Sequence, residues 1–150
     1  MMTRDQIISA LKGYFTAKEL VCPHIYARFG EGSWQFLDTD YLHILLVLRR
    51  DIFGVPMLCN HGASYERGMR CNLCNIVKSK TKAYLSAHVL GKAGDFTVTG
   101  MGAEQARQRI IANADKLPCK IRLEAGVTWL HVDTMAQIGQ QEKVYLFKAN

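Results

Sequence analysis

The spacing of apolar residues changes partway along the chain, and that change limits the folds open to it. Thr3 to Tyr14 carries Ile7, Ile8 and Leu11 on one side, the spacing of a short amphipathic helix. Thr16 followed by Glu19 is a capping-box pattern, with Phe15 just before the cap able to staple onto Leu20. Thr39 reads as the cap of a strong helix from Asp40 to about Phe53, with Leu42, Leu45, Leu46 and Leu48 forming a wide apolar face and Gly54 ending it. Beyond it the patterns shorten to strand length: Val55 to Cys59, Ala83 to His88, Ala93 to Val98, Ile121 to Glu124, Val127 to Asp133 and Val144 to Lys148. One helix, Ala103 to Asp115, interrupts them and stops before Pro118. Helices first and strands mostly second predict an α+β domain with a largely antiparallel sheet. Residues 60–80 are polar and contain glycine, which predicts a long loop of the kind that often carries a site.

With 150 residues, no repeat and no Pro-, Gly- or Ser-rich linker, the chain reads as a single domain over 1–150 with one buried core. Hydrophobic residues at 49% and charged residues at 21% exclude wholesale disorder, collagen and coiled coil. The longest apolar run, Ile44 to Leu48, meets Arg49 and Arg50 far short of the ~18 residues of a membrane span, so no membrane partner is expected. Arg4, Asp5, Gln6, Lys12 and Lys18 interrupt any signal-peptide stretch. The expected location is therefore the cytoplasm, until another agent releases the protein.

Nineteen Lys and Arg against thirteen Asp and Glu give a net charge of +6, which favours polyanionic partners: nucleic acid, anionic lipid or acidic envelope polymers. The only dense basic cluster, Lys78, Lys80 and Lys82, lacks aromatic interleaving beyond Tyr84 and reads as a solvated loop. Five cysteines, an odd number without an export signal, argue for reduced thiols or a metal rather than a disulfide framework.

Two segments carry potential chemistry: Ser86-Ala87-His88-Val89-Leu90-Gly91-Lys92-Ala93-Gly94-Asp95 and Trp129-Leu130-His131-Val132-Asp133. Gly91 and Gly94 permit a tight return that brings His88 and Asp95 together, and His131 could join them from a later strand. Two imidazoles and a carboxylate leave one position of a tetrahedral zinc open, the pattern of a catalytic rather than a structural site. On spacing alone, two satisfied polar residues on a loop would serve as well. A second set, Cys59-Asn60-His61 with Cys71-Asn72-Leu73-Cys74, offers soft ligands for a structural zinc, although Cys59 falls in a core strand. His24, in a loop after Pro23, and His43 near the helix stripe read as structural, Gly30 to Ser33 reads as a loop, and Trp34 to Phe36 as a hydrophobic cluster or a groove wall.

Taken together, Ser-x-His-x-x-Gly-x-Ala-x-Asp and Trp-x-His-x-Asp resemble the zinc D-Ala-D-Ala carboxypeptidases, which share their fold with the hedgehog signalling domain. Ser86, His88, Gly91, Ala93, Asp95, Trp129, His131 and Asp133 match, and Arg67-Gly68-Met69-Arg70 stands where that family has Ser-Gly-x-Arg. The resemblance spans roughly Asp40 to Asp133. It implies the hedgehog/DD-peptidase fold and one catalytic zinc on His88, Asp95 and His131. It also implies Arg70 on the substrate carboxylate or oxyanion, with Arg67 as runner-up. Ser86 and Asp133 are expected to support the ligands, and Trp129 to line the substrate groove.

The chain departs from the pattern at Thr128, where many relatives have the catalytic acid of Glu-x-x-His. Glu124 is the nearest carboxylate upstream and the expected general base, with Asp133 as competitor. The implied activity is zinc-dependent hydrolysis of amides in peptidoglycan stem peptides, as a D-Ala-D-Ala carboxypeptidase or a cell-wall endopeptidase. Small size, basic charge and the missing signal suit an endolysin of a phage or prophage, released by a holin. Two rivals stand beside it: a non-catalytic zinc-binding recognition domain of the same fold, and a nucleic-acid-binding Cys/His protein.

Overall fold

A computed structural model describes residues 1–149. The chain runs α1 (Arg4–Leu11), α2 (Ala17–Leu20), α3 (Pro23–Phe29), a 3₁₀ segment (Gly30–Phe36) and α4 (Thr39–Val47). It continues through β1 (Met57–Leu58), α5 (Asn75–Lys78), β2 (Ala93–Val98), α6 (Ala103–Ala112), β3 (Ile121–Glu124), β4 (Leu130–Asp133) and β5 (Val144–Phe147). The α+β class holds.

Both N-terminal helices begin with capping boxes. Thr3 pairs with Gln6 and Thr16 with Glu19, each side chain closing on the other residue's backbone N–H. The cap of α4 is Asp38 rather than Thr39: its carboxylate accepts the Tyr41 N–H at 3.2 Å, and a negatively charged acceptor suits the positive end of the helix dipole. From Leu48 to Phe53 the helix widens into a π-turn that ends at Gly54. Tyr41, Leu42, Ile44, Leu45, Leu46 and Leu48 are all buried, so α4 forms the centre of the core rather than one flank of it.

The sheet order is β1-β2-β4-β3-β5. Three pairings are antiparallel, but β5 joins β3 in parallel, so the sheet is mixed. The antiparallel expectation fails at this edge because residues 134–143 carry the chain back alongside β3 before β5 begins. Other expected elements also differ. Ala83 to His88 forms no strand, since its one backbone hydrogen bond to a distant segment, from the Arg70 N–H to the His88 carbonyl, builds no ladder and the segment ends in a turn. The strands expected from Val55 and Val127 are limited to Met57–Leu58 and Leu130–Asp133. Pro23–Phe29, expected as a loop around His24, is a helix, because a proline at its first position supplies the required φ without an unpaired N–H. Gly30 to Ser33 lies in the 3₁₀ segment, and Asn75–Lys78 adds one helical turn to the 60–80 excursion. No described helix is long and apolar enough to cross a membrane.

Strand alternation then sorts the chemistry. Phe96, Ile121, Leu123, Leu130 and Val132 are buried in one core with α1, α4 and α6. Their neighbours Asp95, Arg122, Glu124, His131 and Asp133 therefore point to the opposite face. That face is covered not by a helix but by the 60–90 excursion.

Candidate metal centre and its cleft

Asp95 and His131 are direct cross-strand partners in the β2–β4 register, which sets their side chains side by side on the open face. His131 Nδ1 lies 2.8 Å from Asp95 Oδ1. His88 arrives from the turn before β2, with Nε2 3.4 Å from the same carboxylate oxygen. That turn is held by Ser86, whose hydroxyl accepts the Val89 N–H at 3.3 Å, and by the Leu90 N–H donating to the Ser86 carbonyl. Ser86 thus fixes the His88 turn and bonds to neither imidazole. Gly91 closes the turn at φ +70°, against the Phe36 carbonyl, where a Cβ would come within 2.2 Å of the oxygen. Only glycine fits there.

Each imidazole presents one nitrogen to the shared point and the other to an acceptor. His88 Nδ1 donates to the Gly68 carbonyl at 2.9 Å, and His131 Nε2 to Asp133 Oδ2 at 2.8 Å. These outer partners fix the ring orientations that turn His88 Nε2 and His131 Nδ1 toward Asp95. The three ligand atoms lie within 4.8 Å of one another and the three residues are buried. The 3.4 Å separation of His88 Nε2 and Asp95 Oδ1 is near the edge of ~3.3 Å expected for zinc bonds near 2 Å, whereas the 2.8 Å between His131 Nδ1 and Asp95 Oδ1 is a hydrogen-bond distance that an ion would widen. Two imidazoles and a carboxylate are a donor set that could hold a metal ion such as zinc.

The electrostatics support the same description. Burial alone would lower the His131 pKa, but Asp133 and Asp95 on either side outweigh it and raise it to about 9. Burial would raise Asp95, yet hydrogen bonds from His131 and His88 hold it well below the ordinary carboxylate range. With a carboxylate at each ring nitrogen, His131 would exchange its Nδ1 proton for a cation held together with Asp95. Asp133 is 0% exposed, and its carboxylate receives two Arg122 N–H groups at 2.9 Å as well as His131. Arg122 in turn lies 4.5 Å from the centre of the Phe147 ring on β5. With every oxygen of Asp133 engaged, the residue orients His131 and has no capacity left for shuttling protons.

The cleft of ≈ 320 Å³ over this centre is lined by Arg70, Glu124, Trp129 and Phe147 together with the ligands. Arg122 faces Asp133 and Leu123 faces Val132, so the next row sets Glu124 beside His131. The Glu124 carboxylate makes no hydrogen bond or ion pair among the described residues. Arg70 reaches the centre through Nη2, 3.6 Å from Asp95 Oδ2, while its Nε donates to the Glu66 carbonyl. Arg67 behaves differently: its fork donates to the Cys59 carbonyl and the Thr97 hydroxyl, which ties it to β1 and β2. Trp129 stands at the rim, 38% exposed.

Arg107, which the sequence pattern does not mark, is 3% exposed inside α6 and gathers the carbonyls of Glu124, Val127 and Trp129. A buried guanidinium thus shapes the β3–β4 turn that carries Glu124 and Trp129.

Compared with protein-family models, with curated proteins and with solved structures, the chain gives no significant match to any of the three.

The expected Cys59, His61, Cys71 and Cys74 set does not assemble. Cys59 is fully buried beside Gly68, and His61 Nδ1 turns to the Cys59 carbonyl and Arg67. The chain contains a second C-x-H, Cys22-Pro23-His24, and it is this pair that reaches Cys71 and Cys74. The spacing was visible in the sequence; the choice between the two pairs depends on the tertiary fold.

Proposed function

We propose that this chain is a zinc-dependent hydrolase of amide bonds in peptidoglycan stem peptides, with the hedgehog/DD-peptidase fold. The observation that carries the reading is the convergence of His88 Nε2, Asp95 Oδ1 and His131 Nδ1 beneath a cleft that also holds an unpaired carboxylate, Glu124. The match of these ligands to the Ser-x-His-x-x-Gly-x-Ala-x-Asp and Trp-x-His-x-Asp pattern supplies the substrate class.

Zinc held by these three residues supplies Lewis-acid polarisation of the scissile carbonyl and lowers the pKa of water. Glu124 takes the proton of the attacking water and passes it to the departing amine, a role for a carboxylate not already bound to a base. Arg70 offers two N–H groups to the substrate carboxylate or to the negative charge developing on the carbonyl oxygen. Asp133 and the Gly68 carbonyl hold the two imidazoles in the ligand tautomers. Trp129 supplies an apolar rim for the peptide.

The test incubates zinc-loaded protein with cross-linked peptidoglycan and with synthetic stem peptides ending in D-Ala-D-Ala, and reads the products by mass spectrometry. Loss of one D-Ala marks a carboxypeptidase; separation of cross-linked peptides marks an endopeptidase. Glu124→Gln is expected to lower kcat by about 10²–10⁴-fold with zinc content unchanged. No product from the wild type on either substrate would sink the hydrolase. The recognition domain would then stand in its place, a reading favoured by Thr128 where the related pattern has its acid.

A further inference from the structure

Beside the cleft, a second group of soft ligands comes together from distant parts of the chain. Cys22 and His24 stand at the start of α3, and Cys71 and Cys74 at the end of the 60–74 loop. The Cys22 and Cys71 sulfurs are 3.6 Å apart, and His24 Nδ1 lies 3.7 Å from Cys71 Sγ and 3.9 Å from Cys74 Sγ. All four ligand atoms fall within 4.8 Å of one another.

We infer that Cys22, His24, Cys71 and Cys74 hold a zinc ion in a closed, structural site. Zn–S bonds near 2.3 Å in a tetrahedron set the sulfurs ~3.8 Å apart and sulfur and nitrogen ~3.5 Å apart, close to the separations found. A disulfide would require ~2.05 Å between sulfurs, and the thiols are free. The backbone also suits thiolates: the Leu73 N–H points at Cys71 Sγ and the Cys71 N–H at Cys74 Sγ, both at 3.4 Å. Three thiolates and an imidazole select zinc over hard cations, and four protein ligands leave no position for substrate.

The position of the site gives it a task. Val21 and Met69 form a parallel bridge, with Cys22 N–H donating to the Met69 carbonyl and Met69 N–H to the Leu20 carbonyl. Gly68, whose carbonyl orients His88, and Arg70, which faces Asp95, flank Met69 on the strip that runs into Cys71. The ion fastens this strip to the helical layer. The inference does not depend on the cleft hydrolysing anything.

The test uses the wild type and two cysteine variants. Cobalt-substituted wild type is expected to show thiolate-to-cobalt charge-transfer absorption in the near ultraviolet, which a centre of two histidines and an aspartate cannot produce. Cys71→Ser is expected to lose most of that absorption, and Cys59→Ser to keep it. Elemental analysis is expected to find about two zinc ions per chain in wild type and about one in His88→Ala, with the thiolate band intact in that variant. Absence of the band in cobalt-loaded wild type would overturn the site. So would an unchanged band in Cys71→Ser, or a wild-type mass two hydrogens low from a Cys22–Cys71 disulfide.

Discussion

The two ligand clusters lie on either side of one strip of chain and differ in construction. The cleft cluster uses two hard-to-borderline donor types, a carboxylate and imidazoles, on strands and a tight turn, and it opens into a ≈ 320 Å³ space. The cysteine cluster uses thiols from a helix start and a loop end, with Cys22 and Cys74 almost wholly buried. An open site suits changing occupants, a filled tetrahedron a permanent one. Rigid support differs as well: Asp95 and His131 are locked by sheet register, whereas the cysteine ligands depend on one bridge and on the loop they themselves pin.

Asp133→Asn offers the largest separation of the two. It removes the charge that faces both Arg122 and His131, so stability is expected to fall by about 3–5 kcal/mol. Zinc affinity of the cleft should weaken by about 10–100-fold, while the thiolate–cobalt band stays. Urea unfolding and competition with a chromogenic chelator read the two effects. Equal weakening of both metals would mean that the clusters are not independent.

Gly68→Ala should instead disturb both. A Cβ there would lie 2.3 Å from the Leu20 carbonyl oxygen, which is backbone and cannot rotate away. A cost of about 1–3 kcal/mol is expected, with the His88 acceptor and the Val21–Met69 bridge displaced together. Reduced metal content at both clusters, measured by elemental analysis, checks it; loss at only one would show that the strip does not couple them.

The smallest effect is confined to the cysteine side. Burial raises the Glu19 carboxyl above its ordinary 4.5, against the lowering influence of its hydrogen bonds from Thr16. Below that ordinary value the group is protonated in both folded and unfolded chains and costs nothing. As pH rises through the folded value the folded state loses stability, and the full cost stands at pH 7. Glu19→Gln keeps a capping acceptor and is expected to gain under about 0.5 kcal/mol at pH 7 and nothing below pH 4. Thermal melts at the two pH values decide it, and an equal gain at both would refute the linkage.

How much of this was legible in the sequence follows the same division. Alternation along Trp129-Leu130-His131-Val132-Asp133 foretells which side chains share a face, and the order of glycines before Asp95 foretells the return that brings His88 near. The helix core at Leu42 to Leu48 and the Thr16–Glu19 box were legible for the same reason: each is a short-range pattern. His24 was not, because C-x-H occurs twice and only the pairing of Val21 with Met69 selects the first. Nor was the parallel edge strand, since Val144 to Phe147 carries no mark of the direction in which it pairs. Ala83 to His88 has strand composition yet meets no strand to form a ladder with, so propensity loses to topology there.

Arg107 has one further consequence. It holds the β3–β4 turn entirely through main-chain oxygens, those of Glu124, Val127 and Trp129. Nothing in that grip reads the side chains at Ala125, Val127 or Thr128. The side chains at these three positions on the rim of the cleft can therefore change while the main chain beneath them keeps its anchor, with Gly126 at φ +80° the one position of the turn that its backbone reserves.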